Sequence, residues 1–267
     1  MSKGQTRRLT KQHVSSGGAS GIFGEKAQVH DRLVRRAGMK VFDILKREYR
    51  KHQFRFRETI SKQEINEKLH SIDRRLGKTL FVRGSSIKPD GGIIEVQDRD
   101  QQWRFVLVSE AKYQGKDVEN IQAGVLVGKN KDQDLMVAGN AIERVYKNIN
   151  EIRNFMLDEC HFPYAVFLQG SNFATETFQV FKPDGSFVEI RHDSGEMNRI
   201  DRVTSANYCM PINRNYCKNI FISHKNSSIM LQAASLYARC KPWSEEEMQR
   251  IMLGIARASI RVLNQLG

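Results

Sequence analysis

The chain has 267 residues, 40% hydrophobic and 27% charged, with 43 Lys/Arg against 30 Asp/Glu and a formal net charge of +13. This composition describes a globular protein long enough to bury one good core, as one large domain or two small ones. It excludes a membrane-spanning protein, because no apolar run approaches the roughly 20 residues that cross a bilayer, and a secretory signal, because the basic N-terminus lacks an apolar stretch. Cys160, Cys209, Cys217 and Cys240 show no C-x-x-C spacing. They read as reduced thiols of a cytoplasmic protein, not as a disulfide or zinc framework.

The charge is uneven. Residues 1–57 hold 15 Lys/Arg against 4 Asp/Glu, a net +11, which leaves +2 for the remaining 210 residues. A basic N-terminal portion on a near-neutral body suggests a polyanion partner, most simply nucleic acid, although a solubilising tail would carry the same charge. Residues 1–21, with Lys3, Arg7, Arg8 and Lys11 followed by a Ser/Gly-rich run, are expected to form a flexible basic arm, and residues 22–267 a single domain. From Glu25 to Lys51 the apolar positions Val29, Leu33, Val34, Ala37, Val41, Ile44 and Leu45 recur at helical spacing, with Gly38 as a point of interruption. Ser61-Lys62-Gln63-Glu64 is a capping-box pattern that predicts a short helix ending near Gly77. Thr79–Val82 reads as a strand.

Lys88–Gln114 organises the chain. A Pro89-Asp90-Gly91-Gly92 turn precedes the apolar segment Ile93–Val96, a polar tip follows, and Phe105-Val106-Leu107-Val108 leads into Glu110-Ala111-Lys112. Strand alternation puts Val106, Val108, Glu110 and Lys112 on one face, so an apolar face ends in a carboxylate and an ammonium. Burying both is costly unless something pairs with them, and a bound cation would do so. If the two segments form a hairpin, Asp90 returns to the same end of the sheet as Glu110. Two hard oxygen ligands beside a lysine suit Mg²⁺, which is held by one or two carboxylates plus waters and a phosphate oxygen. Lys112 would orient a water or neutralise charge on a transferring phosphate. Pro-Asp…Glu-x-Lys is the pattern of the PD-(D/E)xK nucleases. Pro-Asp-Gly is also an ordinary turn signal, and a second copy at Pro183-Asp184-Gly185 sits in a hairpin between Phe178–Phe181 and Phe187–Ile190.

Farther along, a helix is expected over Val118–Val127. A second, from Asn140 through Ile142, Val145, Ile149, Ile152 and Met156, ends near Glu159, and a strand follows at Tyr164–Leu168. Strand, helix and strand in that order favour an α/β core with at least one parallel pairing. Two helices, Ser227–Arg239 and Ser244–Leu263, are predicted to finish the chain. Met136–Arg144, MVAGNAIER, admits two readings: a loop with Asn140 as N-cap, or a base-reading element whose small residues let the backbone approach a duplex. Asn bonds adenine N6 and N7, and Arg bonds purine acceptors.

GIFGEKAQVHD (21–31), FRFRETISKQEINEKL (54–69), SSIKPDGGIIEV (85–96), EAKYQGKD (110–117), DQDLMVAGNAIER (132–144), NRIDRVTSA (198–206) and SIMLQAASLY (228–237) together resemble the EcoRI family of type II restriction endonucleases, over nearly the whole chain. The resemblance implies a restriction-endonuclease-like α/β fold, a central mixed sheet flanked by helices. It also implies a homodimer that cuts the palindrome GAATTC in double-stranded DNA with Mg²⁺, after the G on each strand. A DNA methyltransferase would protect the host. Asp90, Glu110 and the Ala111 carbonyl match metal ligands and Lys112 the catalytic lysine. Met136, Val137, Ala138, Gly139, Asn140 and Ala141 match the extended chain lying in the major groove, with Asn140, Glu143 and Arg144 in the adenine-reading network and Arg199 and Arg202 at or near the recognition interface. Lys88, Lys116, Lys147 and Asn148 match phosphate contacts. Val137 stands where the pattern has Ala and Tyr113 where it has His, and the C-terminal helix ends early, at Gly267. Two rivals stay open: a DNA-binding protein without catalysis, and a repair or resolvase nuclease on the same core.

Overall fold

The computed structural model describes residues 25–115, 117–124, 137–191 and 200–266. In chain order these form α1 (Glu25–Glu48), β1 (Phe54–Arg57), β2 (Ile60–Ser61), α2 (Lys62–Ile72), β3 (Ser86–Ile87), β4 (Gly92–Gln97), β5 (Trp103–Tyr113) and α3 (Asp117–Gln122). Then come α4 (Val137–Phe155), β6 (Tyr164–Gln169), a 3₁₀ turn at Ser171–Phe173, β7 (Phe178–Phe181), β8 (Phe187–Ile190) and α5 (Ile200–Ser205). Last are β9 (Ile220–His224), β10 (Ser227–Leu231), β11 (Ser235–Arg239) and α6 (Glu245–Leu266).

A five-stranded mixed sheet, ordered β1-β4-β5-β6-β11, is the centre of the molecule. β4 is antiparallel to β1 and β5, while β6 is parallel to β5 and β11. Ile142, Val145, Ile149 and Ile152 of α4, with Met156 just past its end, pack on one face, against Ile93, Phe105, Val108, Val166 and Leu168. α1 and α6 cover the other through Val34, Ala37, Val41, Leu45, Met252, Ile255 and Ile260, against Ile94, Val106, Leu107, Ala111 and Phe167. This is the expected α/β layering, with the expected parallel pairing. Residues on both faces of β5 and β6 are fully buried, which explains their near-continuous apolar runs.

Several expectations need correction. The alternation along β5 is broken: Ile94 opposes Leu107 but Glu95 opposes Phe105, so Val106 is an extra residue in a β-bulge. Val106 therefore joins the α1/α6 side, and only Val108, Glu110 and Lys112 keep the shared face. α1 runs unbroken through Gly38, where a Cβ would stand 2.7 Å from the Gly91 carbonyl oxygen. That glycine marks a close crossing over the Asp90 loop, not a helix end. Thr79–Val82 is not a strand, and Leu80 is 99% exposed. The free edge of β4 is taken instead by Phe54–Arg57, whose four residues are all partly buried.

Residues 227–239 form two strands, not a helix. Asn207 brackets the bend between them: its amide donates to the Ala234 carbonyl at 2.8 Å and its oxygen accepts from the Ala234 N–H at 2.6 Å. Those backbone groups are thus satisfied by a side chain rather than by helical neighbours. α4 begins at Val137, three residues ahead of the expected Asn140, so Asn140 lies inside the helix and not at its cap, and residues 137–141 are helical rather than the extended chain expected there. The capping boxes at Ser61/Glu64 and Ser244/Glu247 form, and so does the hairpin around the second Pro-Asp-Gly. α2 stops at Ile72, short of Gly77. The expected basic arm over residues 1–21 and the end of the predicted helix past Gly124 lie outside the described residues.

Candidate active site

At the open end of the β4/β5 hairpin Gly92 lies opposite Ser109, and the Gly91 N–H donates to the Ser109 carbonyl at 2.9 Å. Gly92 has φ +84°, and a Cβ there would meet the Phe56 ring at 2.3 Å. Only glycine lets the turn lie flat on β1. This places Asp90 beside the C-terminal end of β5, where Glu110 and Lys112 project toward α4.

The side chains meet as the sequence predicts. Asp90 Oδ2 accepts from the Ala111 N–H at 3.2 Å and from Lys112 Nζ at 2.7 Å. Lys112 Nζ also donates to the Ala111 carbonyl at 2.7 Å and to Glu110 Oε1. Three oxygens, from Asp90, Glu110 and the Ala111 carbonyl, thus converge on one ammonium. Glu110 is only 1% exposed. Its Oε1 receives a second hydrogen bond, from Asn148 Nδ2 at 2.9 Å, and its Oε2 faces the Asp90 N–H at 3.4 Å.

Burial pushes the Glu110 carboxyl well above its ordinary range; Lys112 opposes the shift and Asp90 adds to it. Burial alone would lower Lys112, but Glu110 and Asp90 beside it outweigh that and hold the ammonium charged. Two carboxylates and a carbonyl are a hard-oxygen donor set, which fits Mg²⁺ completed by water and phosphate rather than an all-protein cage. Among the described residues no three His, Cys, Asp or Glu side chains form a metal cluster.

Two neighbours carried no role in the sequence reading. His30 on α1 is buried, with its Nε2 at 2.9 Å from the Phe167 carbonyl, and burial lowers its pKa. Asp31 beside it is raised to about 6, first by burial and then by Asp90. Nothing in local composition separates these two from the other polar residues of an amphipathic helix. Their place follows from α1 crossing the Asp90 loop at Gly38. His161 is likewise a core histidine, bonded to the Phe105 carbonyl at 2.8 Å.

Of the other predicted site residues, Glu143, Arg144 and Lys147 lie exposed along α4, and Val137, Ala138, Gly139, Asn140 and Ala141 form its first turns. Arg202 lies on α5, and its carbonyl accepts from the Tyr146 hydroxyl of α4 at 2.6 Å, so the two helices are tied together. Lys88 is exposed, 3.5 Å from Glu58, which also pairs with Arg35. Tyr113 points away from Lys112, and its hydroxyl donates to Glu119 at 3.3 Å. Met136, Lys116 and Arg199 lie outside the described residues.

A family model described as restriction endonuclease EcoRI matches residues 16–266. The type II restriction enzyme EcoRI of Escherichia coli is 55% identical over 265 residues, covering 98% of this chain and 96% of that one. The type II restriction enzyme RsrI of Cereibacter sphaeroides is 53% identical over 261 residues, covering 98% and 94%. With the family model and both relatives spanning nearly the whole chain, the chain belongs to the EcoRI family of restriction endonucleases.

Proposed function

We propose that this protein is a Mg²⁺-dependent homodimeric endonuclease that cuts double-stranded DNA at GAATTC, after the G on each strand, leaving 5′ overhangs. The observation that carries the reading is the convergence of Asp90, Glu110 and the Ala111 carbonyl on Lys112, at the foot of the helix that bears the expected reading residues. Asp90, Glu110 and the Ala111 carbonyl hold the metal. When bound, Mg²⁺ neutralises charge on the phosphate and acidifies a water. Lys112, released from the carboxylates, donates to the scissile phosphate or the attacking water. The burial of Glu110 excludes bulk solvent, which strengthens each of these interactions.

Met136 through Ala141 run in the major groove, with Asn140, Glu143, Arg144, Arg199 and Arg202 reading the base edges. Lys88, Lys116 and Lys147 contact phosphates. A two-fold dimer presents the same surface to each half-site, which is why the target is a palindrome. Residues 1–21 add sequence-independent affinity, so their removal weakens binding to all DNA and flattens its salt dependence. In its host the enzyme acts in the cytoplasm, alongside a methyltransferase that protects GAATTC.

The test is digestion of a plasmid with one GAATTC site, with Mg²⁺ and with EDTA, followed by end sequencing. One metal-dependent cut with four-base 5′ overhangs is expected. Metal-dependent cutting elsewhere would keep the catalytic assignment and reject the reading residues, Val137 first. Tight specific binding without cutting would favour a binder in which the charge pair is structural.

A further inference from the structure

We propose that Asn148 is a positioning residue through which helix α4 sets the orientation of the Glu110 carboxylate. This rests on the nuclease reading above and goes past it, since it names how recognition and chemistry are mechanically joined. The Asn148 side-chain amide donates to Glu110 Oε1 at 2.9 Å, across the interface between α4 and the sheet. Glu110 is 1% exposed, so no bulk water competes for that oxygen. The other side-chain donor on the same oxygen is Lys112. When a metal ion takes up the carboxylates and Lys112 turns to the phosphate, Asn148 is the donor that stays.

α4 is built to transmit position. Val145 and Ile149, on either side of Asn148 along the helix, are buried against the sheet. Glu151 pairs with Lys62 at the start of α2, which fixes the helix laterally. Asn140 and Asn148 are eight residues apart on one continuous helix, about 12 Å along the axis at 1.5 Å per residue. A shift of the N-terminal turns on engaging bases therefore moves Asn148 as part of a rigid rod. A hydrogen bond to a carboxylate weakens steeply once its distance or angle is lost.

Two variants separate positioning from packing. Asn148→Ala removes the donor. Asn148→Asp keeps the size and shape but sets an acceptor against Glu110 Oε1. We expect Asn148→Ala to lower kcat for cutting by about 10–100-fold and to raise the Mg²⁺ concentration for half-maximal rate by a similar factor, the range for partners that orient metal ligands. The rise in Mg²⁺ requirement, set beside metal-free binding to a GAATTC duplex, is what separates positioning from a phosphate contact. Asn148→Asp should be worse than Asn148→Ala in rate and in Mg²⁺ requirement.

If Asn148→Asp matches wild type or exceeds Asn148→Ala, the residue acts by packing and the proposal is overturned. If binding falls with the rate while the Mg²⁺ requirement is unchanged, Asn148 is a phosphate contact and the proposal is likewise overturned. Should Asn148→Ala fail to fold, the isosteric Asn148→Asp alone decides, by its Mg²⁺ requirement. Wild-type protein that binds but does not cut would reject the nuclease reading itself, which is a different failure.

Discussion

The chain writes Pro-Asp-Gly twice: at Pro89 it leads into the open end of the β4/β5 hairpin, and at Pro183 it closes the β7/β8 hairpin. Only the first becomes a site. Asp184 spends its carboxylate on its own turn, accepting from the Ser186 N–H at 2.9 Å and the Ser186 hydroxyl at 2.6 Å, and these bonds hold its pKa below the usual range. Asp90 instead reaches across to Ala111 and Lys112. Gly185 opens onto space, whereas Gly92 is pressed against Phe56. Glu189, in the second hairpin, is half exposed 3.9 Å from Arg191; Glu110 is sealed under α4. The tripeptide supplies a turn. Burial, and the parallel neighbour β6 that extends β5 past the hairpin, supply the chemistry.

The largest effect expected from this contrast is on cutting. Glu110→Ala or Lys112→Ala should lower the cleavage rate by at least about 10²–10³-fold, the scale for removing one transition-state partner. Glu189→Ala should leave it unchanged, and a comparable loss there would erase the distinction. Gly92→Ala comes next: a side chain at positive φ costs about 1–2 kcal/mol, and the clash with Phe56 adds about 1–3 kcal/mol of overpacking. Gly185→Ala should show only the first penalty, so thermal denaturation should rank the two, with Gly92→Ala melting lower.

Helix α4 meets the first hairpin alone, through Asn148, and its reading residues sharpen the comparison further. Asn140→Ala or Arg144→Ala should each cost about 1–3 kcal/mol of discrimination between GAATTC and a site with one changed base pair. Competition binding would measure it; equal loss on both duplexes would move these residues to phosphate contacts. The smallest effect belongs to Asp184→Ala, which removes two bonds of an exposed turn. A slightly lower melting temperature with unchanged cutting is expected, and any fall in rate would count against the division drawn above.

Local signals read well in this chain. The two capping boxes, both hairpins, the amphipathic α4 and the Asp90–Glu110–Lys112 cluster were each legible because a few neighbouring residues determine them. What escaped the sequence depends on distant partners. Residues 228–239 carry enough Leu, Ala and Met to suit a helix, and pairing with β9, the edge of β6 and the Asn207 bracket pull them into strands. Phe54–Arg57 has no buried face of its own and becomes a strand because β4 offers an edge. The hydrogen bond from Asn148 to Glu110 spans 38 positions, and no spacing rule connects them. The bulge at Val106 was equally invisible, since a run of four apolar residues hides a change of phase.

That bulge sets where the gene can change length. Upstream of Leu107 a lost residue is absorbed: without Val106, Phe105 still pairs with Glu95 and Leu107 with Ile94, and the ladder becomes regular. Between Leu107 and Lys112 the strand has no slack. One codon deleted there turns every following side chain to the opposite face. The carboxylate would then point into the α1/α6 layer and an alanine toward α4. In-frame deletions in β5 should therefore survive selection for cutting only on the N-terminal side of Leu107.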